Sequence, residues 1–314
     1  MVKYRALLGP VFVLLLIGAA MLWSPLEPHR PPVVNDLPGA AASSWLDEDW
    51  RIFEEKVREA ASAGLDTVPL GTAVAEIGRT FVGTAYVPRT LEAEGPEGLV
   101  INFRGLDCVT FVENALALAR FVRRGGAARL GDRSAAETEY SRLLTELRYR
   151  GGVLDGYPSR LHYFSDWIAD NARRGLVVDL GDRLGGDRDL EPVDFMSTHP
   201  EAYRQLADPT ALEAVRETEA ALTAAGRTYV PEERIADVAA DIRDGDVIAA
   251  TSTVAGLDVA HTGLALWVGD ALHLLHAPLV GDSVEISTVP LAERISSIAG
   301  QDGILVARPV ERTR

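Results

Sequence analysis

Hydrophobic positions along the chain recur first at helical spacing and only later at the two-residue spacing of strands. Within residues 44–63, Trp50, Phe53 and Val57 lie on one side and Gly64 supplies a stop, which predicts an amphipathic helix. Residues 72–82, closed by Gly83, predict a second helix. Residues 107–123, ended by Gly125-Gly126, predict a third, with Val109, Val112, Leu116 and Ala119 at helical spacing. Ser134-Ala-Ala-Glu137 reads as a capping box before Tyr140, Leu143, Leu144 and Leu147, and Thr198-His-Pro-Glu201 and Thr210-Ala-Leu-Glu213 read as two more. Strand patterns cluster late, at residues 246–250, 261–268, 271–276, 284–287 and 304–310. Residues 181–189 read as a polar, glycine-rich loop without phosphate-loop spacing. Helices first and neighbouring strands afterwards predict an α+β fold with an antiparallel sheet, not a βα alternation. The chain shows no internal repeat, Walker loop or dinucleotide fingerprint.

The N-terminus stands apart from this pattern. Lys3 and Arg5 precede residues 6–23, which carry no charge and include Val11-Phe12-Val13-Leu14-Leu15-Leu16-Ile17. A basic start and an apolar run describe a secretory signal, and Gly18-Ala19-Ala20 offers small residues for cleavage after Ala20. The 18-residue run also reaches the lower length of a membrane span, so an uncleaved anchor is the alternative. No cysteine is placed for lipid attachment. Residues 24–43 carry five prolines and suit an extended tether. The expected organisation is therefore a signal peptide or anchor at 1–23, a tether at 24–43 and a folded domain at 44–314. The expected location is exported, periplasmic or extracellular.

Charge and cysteine count narrow the chemistry. With 31 basic and 46 acidic residues the formal net charge is −15, which excludes broad binding to a phosphate backbone and docking on anionic lipid. Any membrane contact is expected only through the N-terminal segment. A single cysteine, Cys108, excludes an intrachain disulfide framework and a zinc site built from several thiolates. In an exported chain a lone thiol is either reactive, or paired between chains, or buried and inert. Asp107 is a preferred N-cap residue, so Cys108 is expected in the first turn of a helix. There the free N–H groups and the helix dipole favour a thiolate.

A thiol nucleophile needs a base, and six histidines are available. His29 falls in the tether. A two-residue turn at Gly269-Asp270 sets Val268 opposite Ala271, hence His276 opposite Gly263 and His273 opposite Leu266. His261, Gly263, Ala265 and Trp267 then share a face with Leu272, Leu274 and His276, while His273 falls on the other. His261 and His276 are diagonal neighbours, about 7–8 Å apart at the backbone. Gly263 and Ala265 leave room on that face for the cysteine helix. A slip of one residue in the turn would exchange the faces.

The pieces Phe81-Val-Gly-Thr-Ala-Tyr86-Val87, Leu106-Asp-Cys108-Val-Thr-Phe-Val-Glu113 and Ser159-Arg-Leu-His162-Tyr-Phe-Ser-Asp166 occur in this order. Phe195-Met-Ser-Thr-His199-Pro-Glu-Ala-Tyr203, Gly245-Asp246, His261-Thr-Gly263 and Leu274-Leu-His276-Ala277 follow. This ordered set resembles the NlpC/P60 superfamily of papain-like cell-wall hydrolases. Within it, the set is most similar to the DUF1460 branch, described as N-acetylmuramoyl-L-alanine amidase-like. Val109-Thr110 stands where the superfamily commonly has Ser-Gly, and Pro278 where a serine is usual. The resemblance implies a papain-like fold with the nucleophile helix packed on an antiparallel sheet, plus extra helices. It implies Cys108 as nucleophile, His261 as base and His276 as the orienting residue, with no cofactor and no metal. The implied substrate is peptidoglycan or a muropeptide, cut between N-acetylmuramoyl and L-alanine. A stem-peptide bond such as D-glutamyl–diaminopimelate is an alternative, as are a thiol acyltransferase and a catalytically silent wall-binding module. Tyr86, His162, Asp166 and His199 are candidate substrate-binding residues. His162 and Asp166, four apart, could share a helix face; as metal ligands they make only half a site, since no third ligand is evident. A structural pairing of Asp166 with His162 or Arg160 is an equal reading, and His199 is equally a first-turn helix residue.

Overall fold

The computed structural model describes residues 45–279 and 281–311; the signal and tether segments, 1–23 and 24–43, lie outside the described residues. Seven longer helices organise the described residues: α1 (Asp47–Ser62), α2 (Leu70–Arg79), α3 (Cys108–Arg123), α4 (Arg133–Arg148), α5 (Phe164–Arg173), α6 (Pro209–Ala225) and α7 (Leu291–Ser297), with shorter turns between them. Among the described residues, no helix is long and apolar enough to cross a membrane.

A parallel pair, β1 (Ala85–Tyr86) and β2 (Gly105–Leu106), leads into α3. The main sheet holds β3 (Val177–Asp179), β4 (Asp187–Asp189), β5 (Arg227–Pro231), β6 (Val247–Ser252), β7 (Val259–Val268), β8 (Ala271–His276), β9 (Glu285–Ile286) and β10 (Gln301–Pro309). Its order is β4-β5-β10-β6-β7-β8-β9, with β3 also on β10, and its paired strands run antiparallel. The five late strands thus stand where their alternation put them. The α+β reading holds. Residues 181–189 are a correction, since the stretch ends in β4. Its Asp187-Arg188-Asp189 has no apolar alternation to read; it is an edge strand held by β5 and by the Arg227–Asp189 ion pair.

The three Ser/Thr capping boxes are also corrected. α4 is capped by Asp132, which accepts from the Ala135 amide at 3.1 Å, and α6 by Asp208, which accepts from the Thr210 amide at 2.9 Å. In each case an aspartate two residues upstream takes the cap, and Pro209, pre-set for a first helical position, fixes the start of α6. Thr198 closes a single turn, Phe195–Thr198, instead of opening a helix.

α3 is the central helix, with every residue from Thr110 to Val122 buried. Phe111, Val112 and Ala115 join Leu264, Leu266 and Leu275 in one apolar cluster, and α2 presses on the same face. A Cβ on Gly78 would come within 2.9 Å of Leu264 Cδ1 and 3.0 Å of Leu275 Cδ2. The opposite sheet face gathers Ile248, Ala265, Leu272, Leu274, Ile304 and Val306 against Leu291 and Ile295 of α7. The expected seat of the cysteine helix is therefore overturned: α3 covers the Leu264–Leu266 face, and the Gly263–Ala265 face is turned to α7. Leu264, Leu266 and Leu275 give Phe111, Val112 and Ala115 of α3 an apolar surface to bury against. The space beside Gly263 is filled by Leu274, whose Cδ1 would meet an added Cβ at 2.8 Å.

Around α3, the rings of Phe53, Phe103, Phe121 and Tyr140 tie α1 and α4 into the core. Glu113 and Arg148 form a buried ion pair at 2.7 Å, and Arg148 also donates to the Val100 carbonyl.

Candidate active site

Cys108 opens α3 immediately after β2. Asp107 has extended backbone (φ −95°), and its Oδ1 accepts the Thr110 amide at 2.8 Å. The Thr110 hydroxyl in turn accepts the Asp107 amide at 2.9 Å, closing a reciprocal capping box. The thiol is half-buried. Tyr86 reaches it through the β1–β2 pairing, in which Tyr86 opposes Leu106 and the Val87 amide donates to the Leu106 carbonyl. The Tyr86 hydroxyl is pushed far above its usual pKa, first by burial and then by the nearby Cys108 and Asp107 charges.

The sheet meets the thiol at Thr262, the residue after His261. The Thr262 amide and hydroxyl both favour the thiolate, as does the Cys108 amide itself. Burial and then the Asp107 carboxylate outweigh them and push the thiol up to about 11. The acidic thiol expected from the helix start is thus reversed in the resting structure, because desolvation of a thiolate costs more than the first turn returns.

The hairpin register is the one the Gly269-Asp270 turn predicts: Val268 opposes Ala271, Leu266 opposes His273 and Leu264 opposes Leu275. His261 and His276 meet as diagonal neighbours, with His261 Nε2 at 2.9 Å from His276 Nδ1 and the rings edge to face at 4.9 Å. His273 lies on the other face and donates from Nδ1 to the Ser287 carbonyl at 2.7 Å. One extra residue, Ala260, bulges β7 against β6 just before His261. Such a bulge increases local twist and re-aims the side chain that follows. Burial, then Arg294, lowers His261 to about 3; burial, then His261 and Arg294, lowers His276 to about 2. At rest the thiol is therefore uncharged and both imidazoles are neutral. The cysteine helix meets the hairpin at Thr262, and the His261–His276 pair lies on the strand face turned to α7.

The remaining candidates are held elsewhere. His162 precedes α5, so it shares no helix face with Asp166; its Nε2 bonds the Tyr157 carbonyl at 2.9 Å and its ring lies against that of Tyr157. Asp166 pairs with Arg150 at 2.8 Å, and Arg160 with Glu92. His199 stacks on Phe195 and bonds its carbonyl at 3.0 Å. Among the described residues no group of three His, Cys, Asp or Glu side chains could hold a metal ion. Three neighbours of the site escaped the sequence reading. Thr262 carries a buried hydroxyl, and Arg294 of α7 and Glu285 of β9 approach His276 Nε2 at 3.4 and 3.9 Å. Thr262 could have been found from strand alternation, whereas the other two reach the site only through sheet order.

A family model described as N-acetylmuramoyl-L-alanine amidase-like matches residues 76–303. The crystal structure of an N-acetylmuramoyl-L-alanine amidase from Bacteroides uniformis is similar at a TM-score of 0.71 and 35% identity, over 77% of this chain and 99% of that one. A Bacteroides fragilis protein provisionally named a xylanase is similar at 0.68 and 37%, over 74% and 98%. A Legionella pneumophila protein of the DUF1460 family shares the fold at 0.61 and 20%, over 84% and 96%. No curated protein matches the chain.

Proposed function

The chain belongs to the N-acetylmuramoyl-L-alanine amidase-like family, and from that premise we propose that it is an exported cysteine hydrolase cutting peptidoglycan between N-acetylmuramoyl and L-alanine. The observation that supports this most directly is the bonded His261–His276 pair at the start of a hairpin whose next residue, Thr262, meets the Cys108 thiol. On this reading the arrangement is the papain-like one of the NlpC/P60 superfamily. His261 Nε2 is engaged by His276, which leaves Nδ1 as the nitrogen for the thiol proton. Cys108 Sγ attacks the amide carbonyl while its proton passes to His261 Nδ1, and His261 returns that proton to the leaving amine. Water then hydrolyses the thioester with His261 again as base. The Cys108 amide, free of a helical partner at the first position, donates to the oxyanion. Tyr86 forms one wall of the cleft. Glycosidic cleavage is disfavoured by the same site: it normally needs two free carboxyl groups across the scissile bond, and the carboxylate beside Cys108 is occupied by the helix cap.

Purified sacculi and defined muropeptides, with products identified by mass spectrometry, test the reading. Release of stem peptide with a free L-alanine amine is expected; a cut after D-glutamate would move the assignment to a stem endopeptidase. Cys108→Ala and His261→Ala are each expected to abolish release, and full activity in either would overturn the mechanism. His276→Ala is expected to be milder. His273→Ala should retain activity, since its ring faces Ser287 on the far side of the hairpin. Fractionation of cells expressing the full chain tests export.

A further inference from the structure

An imidazole pair has a direction, and here the direction is decided at the far end of His276. A neutral imidazole offers one donor and one acceptor, so two opposite arrangements are available. When His276 Nε2 accepts from Arg294 Nε, 3.4 Å away, the His276 proton sits on Nδ1 and is donated to His261 Nε2. His261 then carries its own proton on Nδ1, the nitrogen that must be bare to deprotonate a thiol. When His276 Nε2 donates to Glu285 Oε1, both bonds reverse and His261 Nδ1 presents a lone pair.

Glu285 and Arg294 are built to compete for that nitrogen. Glu285 sits directly opposite His276 in the β8–β9 register, with Oε1 3.9 Å from Nε2 and about half of its side chain exposed. At that separation no hydrogen bond is formed, and a rotamer change closes the gap. Arg294 approaches from α7 and is half-buried, and its guanidinium and the Glu285 carboxylate also sense each other. The charged and titratable groups facing His276 are thus His261 from β7, Glu285 from β9 and Arg294 from α7.

We propose that Arg294 and Glu285 are opposed positioning residues: Arg294 holds the histidine pair in a resting tautomer that cannot take the Cys108 proton, and Glu285 draws it into the competent one. This rests on the Cys108–His261 reading of the site. In the competent form the Cys108 Sγ–H bond breaks and the His261 Nδ1–H bond forms. The charge on His261 is supported through Nε2–H to His276 Nδ1, whose own Nε2–H points at the Glu285 carboxylate; no proton passes to Glu285. The resting arrangement keeps an exported hydrolase neutral until substrate, or a shift of α7 or β9, moves the Arg294 contact.

Two readouts on the full chain test this. In 15N spectra of histidine-labelled protein, wild type is expected to show His276 protonated at Nδ1, and Arg294→Met to move it toward the Nε2–H form. In muropeptide turnover, Glu285→Ala is expected to lower kcat about 10–100-fold with KM unchanged, since a misdirected imidazole is costly even where binding is intact. Glu285→Gln, which keeps an acceptor without the charge, is expected to recover part of the loss, and Arg294→Met to raise kcat. A His276 tautomer unchanged in Arg294→Met, or an unaltered kcat in Glu285→Ala, overturns the proposal. An active Cys108→Ala overturns the function reading instead, and the tautomer spectra stand apart from it.

Discussion

Asp107 does two things that oppose each other, and replacing it separates them. Its carboxylate accepts the Thr110 amide and hydroxyl, both at 2.8 Å, and so secures the first turn of α3. Its charge also resists formation of a thiolate one residue away, second only to burial in holding Cys108 at about 11. A like charge within about 4–6 Å of an ionising group commonly raises its pKa by roughly one to two units. Asparagine caps a helix about as well as aspartate, whereas alanine costs about 0.5–2 kcal/mol. Asp107→Asn is therefore expected to lower the thiol midpoint by about one to two units with little change in Tm. Asp107→Ala is expected to lower both, the Tm by about 2–4 °C for each kcal/mol lost. The assay is iodoacetamide alkylation of folded protein between pH 6 and 11, followed by intact mass, beside a thermal melt of each variant. At pH 8 alkylation of Asp107→Asn should run about tenfold or more faster than wild type. A midpoint unmoved in Asp107→Asn would refute the electrostatic reasoning, and an undiminished Tm in Asp107→Ala would refute the cap.

Other perturbations test the scaffold. Glu113→Gln leaves Arg148 charged and buried, so a loss of about 3–5 kcal/mol is expected in urea unfolding, and exchanging both residues for apolar ones of similar volume should recover much of it. Gly245 has φ +78°, and a Cβ there would stand 2.0 Å from the Gly71 carbonyl oxygen. Gly245→Ala is thus expected to cost about 1–3 kcal/mol from backbone strain and more from the clash, seen as a lower urea midpoint. Burial and then Arg160 lower His162 to about 3. Between pH 6.5 and 3 the unfolded chain binds a proton that folded His162 refuses. Its contribution is full above pH 6.5 and falls with decreasing pH, by up to about 1.4 kcal/mol per unit. His261 and His276 give a slope of the same sign. His162→Gln is therefore expected to reduce the slope between pH 6 and 4 by up to about 1.4 kcal/mol per unit without abolishing it, and an equal slope in both proteins would contradict this.

How far the sequence foretold the site depends on which step is asked about. The two-residue turn at Gly269-Asp270 leaves one register, so the His261–His276 diagonal followed from counting alone. The Asp107 cap was legible because aspartate, first turn and apolar spacing agree. The side on which α3 lies was not: small residues at Gly263 and Ala265 resemble vacant space, yet Leu274 fills it and the leucines behind attract the helix. The thiol's resting state was misjudged for a related reason, since a helix start is visible in one dimension and desolvation is not. The strands β3, β4 and β5 are short and polar in places, and their identity comes from the partner that pairs them. Glu285 and Arg294 are ordinary charged residues in sequence, and they become neighbours of His276 only through the placement of β9 and α7.

The strand β10 has a consequence for how the molecule is made. It hydrogen-bonds β6 on one side and β3 and β5 on the other, so the middle of the sheet is supplied by its latest strand in chain order. Until Pro309 has been synthesised, β6 and β5 lack their shared neighbour, and two parts of the sheet cannot join. At about 5–20 residues per second the stretch from Ser252 to Pro309 takes roughly 3–11 s, and the nascent chain waits that long in that state. Such a chain stays threadable during its own synthesis, and any fragment ending before Gln301 should be a target for proteolysis rather than a smaller working protein.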